Sequence, residues 1–485
     1  TAHAQLESNQ ADASLGRSVA SAGDVNGDGF VDVIVGAYLY DAGQADEGAA
    51  FVFLGSPSGI PDGNPATALA QLEANQASAL LGQSVASAGD VNGDGFADVI
   101  VGANAYDRGQ PEEGAAFVFL GGPSGIADGN PATAHAQIES NQGSANLGTG
   151  VAGAGDVNGD GYADVIVGAY FYDSGQLDEG AAFVFLGGPS GIANGNPTNA
   201  HAQLESDQAS AFLGYSVAGA GDVNGDGYAD VIVGAYFYEN SPSNEGAAFV
   251  FLGSSSGIAD ANAFGATRIE SDQNGAALGE TVAGAGDVNG DGLADVIVSA
   301  HLYDSGQADE GTAFVFESGE VDGRPVFARQ AQPGGSPVVQ AWGSVPNAFQ
   351  ISLQASHPEG RGLVKLESEW CRTGLPFGDP GCGRQIAPAW TAVSTSPVSL
   401  VQNVSGLVPD TLYRWRARVL YAPTSITQPG VVAPTHPAHG PWRRHQAQAF
   451  EADVRTVPEP GFALALASGI TWLAARKPRR NRRTG

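Results

Sequence analysis

A seven-residue string, Gly-Asp-Val-Asn-Gly-Asp-Gly, recurs five times in the first two thirds of this chain. Successive copies lie 66, 66, 66 and 65 residues apart. The first aspartates of the copies are Asp24, Asp90, Asp156, Asp222 and Asp287. A fixed period of this length marks an array of structural repeats that pack on their neighbours. Up to about residue 320, the chain must therefore fold as a repeat architecture.

Each repeat contains four short apolar segments. In the first repeat these are Leu15–Asn26, Asp32–Ala37, Ala49–Gly55 and Ala70–Glu73. Runs of β-branched and aromatic residues bounded by Gly, Pro, Asn and Asp predict strands. Four strands per repeat, arranged radially, predict an all-β protein built as a β-propeller. A solenoid is the alternative, but solenoid repeats usually run about 20–45 residues, which favours the propeller.

The two ends of the array are complementary in sequence. The segment Ala4–Glu7 has the sequence of a fourth strand, whereas the fifth repeat ends on its third strand at Ala313–Phe316. We expect the first segment to complete the last blade and close a five-bladed ring, or else further blades to precede Thr1. Because the chain has no Met and starts at Thr1, we expect a processed or truncated product.

The repeated loop places oxygen donors at its positions 1, 3, 5 and 9, a glycine at position 6 and a backbone carbonyl at position 7. Hard oxygen donors in a tight loop suit Ca²⁺, and soft metals would need His or Cys. An EF-hand is excluded because position 12, Val35, lies in a strand-like run. The alternative is a polar turn without metal. Five copies predict up to five Ca²⁺ ions, held by Asp24, Asn26, Asp28, Phe30, Asp32, Asp90, Asn92, Asp94, Phe96, Asp98, Asp156, Asn158, Asp160, Tyr162, Asp164, Asp222, Asn224, Asp226, Tyr228, Asp230, Asp287, Asn289, Asp291, Leu293 and Asp295.

These motifs carry a family resemblance. The sequence from Leu213 to Ala235, Leu-Gly-Tyr-Ser-Val-Ala-Gly-Ala-Gly-Asp-Val-Asn-Gly-Asp-Gly-Tyr-Ala-Asp-Val-Ile-Val-Gly-Ala, resembles the FG-GAP repeat of the integrin α-subunit propeller and its bacterial relatives. The resemblance covers residues 1–320. It implies a propeller, Ca²⁺ between the first two strands of a blade, and extracellular adhesion or ligand binding. Propellers of the family usually have seven blades, whereas five are visible in this chain.

The face opposite the loops is the predicted partner surface. Because neighbouring strands of a blade run in opposite directions, the connections between strands 2 and 3 and the connections between consecutive blades lie on this face. Exposed aromatic residues beside acids bind sugars or proteins; the alternative is that the tyrosines pack between blades. The residues concerned are Tyr38, Tyr40, Tyr106, Tyr170, Tyr172, Tyr236, Tyr238 and Tyr303, with the acidic pairs Asp46–Glu47, Glu112–Glu113, Asp178–Glu179 and Asp309–Glu310.

Charge and motifs exclude two classes of function. The chain has 52 acidic and 21 basic side chains, net −31, and residues 1–320 hold 43 of the former and 3 of the latter. Nucleic-acid binding is not expected, because it depends on clustered Lys and Arg. No Gly-x-Ser-x-Gly, His-Glu-x-x-His or phosphate loop is present. We therefore predict that the chain is not an enzyme, unless a catalytic domain lies upstream.

Residues 325–455 form a second predicted domain, which contains strand-like segments between Pro- and Gly-rich turns, as in a β-sandwich. The segment from Gly406 to Arg418 resembles fibronectin type III. Cys371 and Cys382 are the only cysteines, so a loop-closing disulfide in an oxidising compartment is predicted, with two free thiols as the alternative.

Residues 457–485 contain a tail signal. The motif Val457-Pro458-Glu459-Pro460 is followed by an apolar run at residues 461–475, a candidate transmembrane helix, and then by six basic residues. Fifteen helical residues span about 22 Å, short of the roughly 30 Å hydrocarbon core. This order of a Pro-Glu-Pro motif, an apolar run and a basic cluster resembles the PEP-CTERM sorting signal of Gram-negative bacteria. The resemblance implies export of the protein, recognition by an exosortase and removal of the tail. An ordinary C-terminal membrane anchor is the alternative.

Together these features predict an exported protein of the cell surface, outer envelope or extracellular matrix. Its propeller would bind Ca²⁺ and an unknown protein or polysaccharide ligand. The alternative is a structural matrix protein without a specific ligand.

Overall fold

The structure is a computed structural model of the full chain. It describes residues 3–224, 226, 228–239, 244–286, 288, 293–318, 329–333, 344–345, 347–355, 362–373, 375, 377–393, 398–409, 411–422 and 454–456. All regular secondary structure in these ranges is β-strand, and most of it lies in repeated four-stranded sheets. The all-β prediction is confirmed.

Each repeat forms one antiparallel sheet, a blade, in which the strands follow one another in chain order. Blade 1 contains β1 (Leu15–Gly23), β2 (Asp32–Ala37), β3 (Ala49–Phe53) and β4 (Ala70–Glu73). Blade 2 contains β5 (Leu81–Gly89), β6 (Asp98–Ala103), β7 (Ala115–Phe119) and β8 (Ala136–Glu139). Blade 3 contains β9 (Val151–Gly155), β10 (Asp164–Ala169), β11 (Ala181–Phe185) and β12 (Ala202–Glu205). Blade 4 contains β13 (Ser216–Gly221), β14 (Asp230–Ala235), β15 (Ala247–Phe251) and β17 (Thr267–Glu270), while β16 (Ala261–Asn262) joins the edge of blade 3 in parallel with β12. Blade 5 has three described strands, β18 (Leu278–Gly286), β19 (Asp295–Ala300) and β20 (Thr312–Phe316).

The core of the propeller lies between blades. Each main apolar cluster joins residues of two neighbouring blades; Val52 of blade 1, for example, packs with Val85 and Phe117 of blade 2. The second strands are buried almost throughout because sheets cover both of their faces. Gly36 allows the closest approach, since a Cβ there would lie 2.0 Å from the carbonyl oxygen of Gly82 in the next blade.

The five described blades leave both ends of the array open. Val19 on β1 is 66% exposed, whereas its counterpart Val85 on β5 is 5% exposed. At the other end, Val315 on β20 is 50% exposed, whereas Val52 is fully buried. Each exposed valine lies on the face that a further blade covers elsewhere in the array. The expected five-bladed ring is therefore not formed in the described residues.

The N-terminal segment does not complete blade 5. Leu6 instead forms a parallel bridge with Gly63 of blade 1, as Leu72 of β4 does with Gly129 of blade 2. The segment thus takes the position of the outer strand of a blade preceding blade 1. The expectation that it pairs with β20 was wrong, because its bridging partner is the connection between strands 3 and 4 at the opposite end of the array.

The second domain contains two sheets. One contains β21 (Arg329–Ala331), β23 (Ala348–Ala355) and β27 (Val398–Ser405). The other contains β22 (Ser344–Val345), β24 (Gly362–Arg372), β25 (Gly383–Ile386), β26 (Thr391–Val393), β28 (Leu412–Tyr421) and β29 (Val454–Thr456). Alternate residues of β23, β24, β27 and β28 form one shared core around Phe349 and Trp415, which is the predicted sandwich.

Polar contacts reinforce the sandwich. The buried Glu367 pairs with Arg384 and Arg418. The hydroxyl of Tyr413, at the start of β28, accepts a hydrogen bond of 3.0 Å from the N–H of Val408. The sulfur atoms of Cys371 and Cys382 are bonded to each other.

The predicted tail lies outside the described residues, including the motif Val457-Pro458-Glu459-Pro460 and the apolar run at 461–475. In the part of the chain that the structure does describe, no helix is long and apolar enough to cross a membrane.

Candidate metal centres and ligand face

The candidate metal loop joins the first two strands of each blade. In blade 1, Asp24 follows β1 and is almost fully buried. Its Oδ1 accepts the N–H of Gly27 at 2.7 Å, and its Oδ2 accepts the N–H of Gly29 at 2.8 Å. Phe30 N–H donates to Asp28 Oδ1 at 2.9 Å. The loop therefore turns around its first aspartate, which brings the predicted donors at positions 1, 3 and 5 together.

The fourth carboxylate anchors the loop to its blade. Asp32 opens β2 and is fully buried. Its Oδ2 accepts the N–H of Val25 at 2.9 Å and its Oδ1 the N–H of Gly55 at 2.7 Å. Because Gly55 begins the connection between strands 3 and 4, this connection lies on the same face as the loop, as strand alternation predicts.

The same anchoring bonds recur around the array. Their acceptors are Asp98, Asp164, Asp230 and Asp295. Asp287, Asn289 and Asp291 of the fifth loop lie outside the described residues, whereas Leu293 and Asp295 are described.

In the loops of blades 1 and 2, none of the described ion pairs involves a loop carboxylate. Burial raises the pKa of Asp98 to about 8; the N–H groups of Gly121 and Val91 oppose this rise, and Asp90 and Asp94 add to it. Burial likewise raises the pKa of Asp32 to about 6. Carboxylate, amide and carbonyl oxygens with no cationic partner are a donor set that fits Ca²⁺.

Position 7 of the loop has a role that the sequence did not reveal. The side chain of Phe96 in blade 2 lies over Gly27 in the loop of blade 1, where an added Cβ would be 2.7 Å from its ring. Tyr162 of blade 3 covers Gly93 in the same way. An aromatic ring at position 7 therefore covers the junction between consecutive loops.

The predicted partner-face tyrosines divide into two groups. Five pack edge-on against a phenylalanine of their own blade, with ring centroids 5.1–5.4 Å apart. They are Tyr40, Tyr106, Tyr172, Tyr238 and Tyr303. For this group the packing alternative holds, because the rings extend the core of the blade.

Tyr170 and Tyr236 belong to a different arrangement. They form a cluster of six aromatic rings in blades 3 and 4, and Tyr215 contacts both at 5.4 and 4.7 Å. Burial, followed by the neighbouring Tyr215, raises the pKa of Tyr236 to about 12. The other three rings are Phe171, Phe212 and Phe237. Tyr38, in blade 1, has no aromatic neighbour among the described ring contacts.

In the acidic pair of blade 1, only the first acid is available to a partner. Asp46 is exposed, but the second acid, Glu47, is fully buried. Its Oε1 accepts the N–H of Gln44 at 2.9 Å and its Oε2 the N–H of Asn75 at 3.0 Å. Glu113, Glu179 and Glu245 are equally buried. The expectation that the pairs face a ligand was wrong for Glu47, Glu113 and Glu179, which hold the connection between strands 2 and 3. Asp309 and Glu310 of blade 5 are both exposed.

A cavity of about 180 Å³ lies where the first strands of all five blades converge. Each blade contributes the residue that follows a Leu-Gly pair, and these residues are Arg17, Gln83, Thr149, Tyr215 and Glu280. Gln83 Oε1 is buried and has no hydrogen-bond partner among the described residues. Arg17 forms no ion pair with a described carboxylate, whereas Glu280 pairs with His301 at 2.6 Å. The cavity is therefore polar and chemically different on each side.

Comparison with known families identifies the repeats. The FG-GAP repeat model matches five segments, residues 15–53, 81–119, 147–185, 213–251 and 278–316. Each segment runs from the first strand of a blade, through the candidate metal loop, to the end of its third strand. The chain thus carries five FG-GAP repeats, and the propeller prediction is confirmed for residues 15–316.

Curated relatives of this chain include integrin α-subunits. Integrin alpha-5 of Xenopus laevis is 32% identical over 182 residues, covering 36% of this chain and 17% of the relative. Integrin alpha-IIb of Mus musculus is 34% identical over 175 residues, covering 35% and 16%. Integrin alpha pat-2 of Caenorhabditis briggsae is 33% identical over 249 residues, covering 47% and 18%. The chain spans less than a fifth of the length of these relatives.

Proposed function

We propose that this chain is an exported, calcium-dependent ligand-binding module of the cell surface or matrix, and not an enzyme. The observation that carries the proposal is the recurrence of one loop, with carboxylates at the same offsets and the same backbone anchors, in repeats similar to those of integrin α-subunits. Extracellular repeats of this type serve adhesion in the family that they resemble.

Calcium would be held in blade 1 by Asp24, Asn26, Asp28, the carbonyl of Phe30 and Asp32, and by the counterparts of these residues in the other blades. The ion supplies positive charge where burial and neighbouring acids oppose ionisation. Oxygen ligands in short loops of extracellular modules bind Ca²⁺ with a Kd of about 10⁻⁴–10⁻³ M. Bound ions would fix the loops and, through the blades, the opposite face.

The ligand would bind on that opposite face, at the cavity where the five blades meet. The repeats are nearly identical in their strands, yet the five cavity residues all differ, as expected for positions that face a ligand rather than a core. Arg17 and Tyr215 can donate hydrogen bonds to a ligand. The carboxylate of Glu280, the unpartnered Gln83 Oε1 and Thr149 Oγ1, which donates its own hydrogen to the carbonyl of Asn146, can accept them. With the aromatic cluster beside it, the site suits a sugar or a protein side chain.

The remaining parts of the chain would export and display the propeller. The Tyr413 hydroxyl bond to Val408 resembles the tyrosine corner of immunoglobulin-like sandwiches, which supports a fibronectin-like spacer. The PEP-CTERM-like tail would direct the protein through the membrane of a Gram-negative bacterium to an exosortase, which would remove it at Pro458-Glu459-Pro460.

A binding screen tests the proposal. The purified chain is applied to glycan and extracellular-protein arrays with Ca²⁺ or with EDTA, and we expect a ligand that is retained only with Ca²⁺. Gln83→Thr and Tyr215→Thr, which introduce the residue that blade 3 carries at this register, should weaken binding at least tenfold. Leu177→Ala, an exposed change outside the cavity to the residue of blades 1 and 5, is the matched control.

Two results would contradict the proposal. Equal binding with and without EDTA would remove the calcium requirement. Retention of no ligand by the wild-type chain would favour a purely structural matrix role.

A further inference from the structure

A second group of carboxylates lies in blade 3, on the face opposite the metal loops. Glu179 precedes β11, Glu205 ends β12, and Asp207 follows it. One carboxylate oxygen of each lies within 4.8 Å of the other two. Glu179 is fully buried, Glu205 is half-buried and Asp207 is exposed. The group is therefore anchored inside the blade and open to solvent on one side.

Glu179 has an unused acceptor. Its Oε1 accepts the N–H groups of Ser174 at 2.8 Å and Gln176 at 3.0 Å. Its Oε2 is buried and has no hydrogen-bond partner among the described residues. In blade 1 the counterpart, Glu47, uses its Oε2 to accept the N–H of Asn75. A buried carboxylate oxygen without a partner is costly, so a ligand is expected to contact it.

Two other blades place an arginine beside the glutamate at this register, whereas Glu73 of blade 1 accepts a hydrogen bond from Gln71 Nε2. The propeller has only three arginines, and two of them neutralise the counterparts of Glu205. Arg108 pairs with Glu139 at 3.3 Å in blade 2, and Arg268 pairs with Glu270 in blade 4. The two arginines come from different registers, Arg108 from the connection between strands 2 and 3 and Arg268 from the outer strand itself, yet both pair with the glutamate that ends the outer strand. Since basic residues are so scarce in this domain, we infer that positive charge is favourable beside this glutamate.

Blade 3 differs from blade 2 in two ways at this register. Ser174 replaces Arg108, which removes the positive charge, and Asp207 replaces Asn141, which adds a negative one. Burial raises the pKa of Glu205; the Ser174 hydroxyl opposes this rise, and the charges of Glu179 and Asp207 add to it. Blade 3 thus holds three carboxylates with no basic partner among the described residues.

We propose that Glu179, Glu205 and Asp207 bind a divalent cation, Ca²⁺ by the hardness of their oxygen ligands, at a site separate from the five loops. In blade 3 this ion does what Arg108 does in blade 2. It supplies the positive charge between the second-to-third connection and the outer strand, and it contacts the otherwise unpartnered oxygen of Glu179.

Equilibrium dialysis of the full chain against Ca²⁺ tests the proposal, with bound ions counted per chain. Ser174→Arg transplants the arginine of blade 2 and should bind one ion fewer than the wild type. Glu205→Gln should show the same loss. Ser305→Arg makes the same change at the same register of blade 5, where no described fourth strand supplies a glutamate, and it should bind as many ions as the wild type.

The outcomes separate this site from the loops. If Ser174→Arg and Glu205→Gln, both folded by circular dichroism, bind as many ions as the wild type, the proposal is overturned, whatever the loops bind. If the wild type binds a single ion that Ser174→Arg removes and Asp94→Ala does not, the blade 3 site stands and calcium binding by the loops fails. A loss in Ser305→Arg as well would mean that the added arginine acts through net charge, which would also overturn the proposal.

Discussion

The backbone N–H of Ala97 in blade 2 donates a hydrogen bond of 3.0 Å to the carbonyl oxygen of Asp24, the first residue of the loop in blade 1. The same bond links the loops of blades 2, 3 and 4 to the next blade, through the pairs Ala163–Asp90, Ala229–Asp156 and Ala294–Asp222. Each of the first four candidate metal loops is therefore held on both sides, by its own blade through a buried aspartate and by the next blade through a carbonyl. A change at one loop is transmitted directly to a blade interface.

Substitutions of Asp98 and Asp94 should distinguish the structural role of the loop carboxylates from their proposed role in metal binding. Asp98 is buried and accepts the N–H groups of Val91 and Gly121. We expect Asp98→Ala to lower the free energy of unfolding by about 2–4 kcal/mol even in EDTA, because it leaves the buried N–H of Val91 and the partly buried N–H of Gly121 without acceptors. The measurement is urea unfolding of the propeller followed by far-ultraviolet circular dichroism.

Asp94→Ala is the comparison, because Asp94 is exposed. It should change stability by less than about 0.5 kcal/mol in EDTA and reduce the additional stability that Ca²⁺ provides. If both variants lost the same stability in EDTA, the division of roles within the loop would be wrong.

The glycines at the blade junctions should tolerate substitution very unequally. A Cβ at Gly102 would lie 2.0 Å from the carbonyl oxygen of Gly148 in the next blade, whereas a Cβ at Gly122 would meet nothing within 4 Å. Gly102→Ala should therefore destabilise the propeller by about 1–3 kcal/mol or more, since neighbouring backbones must separate. Gly122→Ala should be neutral; thermal melts of the two variants check the contrast, and equal melting temperatures would contradict it.

Because no described blade covers β1, substitutions of equivalent valines in blades 1 and 2 should lower the free energy of unfolding by different amounts. Val85→Ala removes methyl groups buried between blades 1 and 2 and should cost about 2 kcal/mol of unfolding free energy. Val19→Ala, at the same register of blade 1, should cost less than about 0.5 kcal/mol because Val19 is largely exposed. Chemical unfolding of both variants measures the difference. A comparable loss in Val19→Ala would show that another surface covers β1 in solution.

The sandwich should lose stability in acid through Glu367. Burial alone would raise its pKa, but hydrogen bonds and charge from Arg418 and Arg384 outweigh burial and hold its pKa below the ordinary 4.5. Because the folded-state pKa is the lower one, the stability contributed by ionised Glu367 is complete above the unfolded pKa. It is lost as the pH falls from about 5 through the folded pKa.

Tryptophan fluorescence can follow this domain separately, because all six tryptophans lie beyond residue 320. In urea unfolding between pH 3 and 7, the wild type should weaken below pH 5. Glu367→Gln should be less stable at pH 7 and show a flatter profile. An unchanged slope in the variant would assign the acid sensitivity to other groups.

The strands of the propeller could be predicted to within a few residues. Asp32–Ala37 and Ala70–Glu73 have the predicted bounds, and the first and third strands differ only at their C-terminal ends. The repeat makes this possible, because five copies of each pattern separate the strand residues from the turn residues. The candidate loop ligands could be proposed from the sequence for the same reason, since their spacing is local.

Contacts between repeats could not be predicted in the same way. The position of Ala4–Glu7 depends on which blade lies beside it, and the pattern of its residues fits either end of the array. The burial of Glu47 depends on backbone N–H groups that include one from Asn75, after the outer strand. A local acidic motif predicts solvent exposure, and only the tertiary structure shows that the carboxylate points inward.

The sequence of the propeller can vary at the five cavity residues without changing how the strands pair. Each belongs to a different repeat but occupies the same register, after a Leu-Gly pair whose backbone the strand pairing already holds. One substitution in one repeat therefore alters one wall of the cavity and leaves the pairing of the strands unchanged. After gene duplication, copies of such a chain could diverge in what they recognise through these five codons, while selection on the rest of each repeat preserves the scaffold.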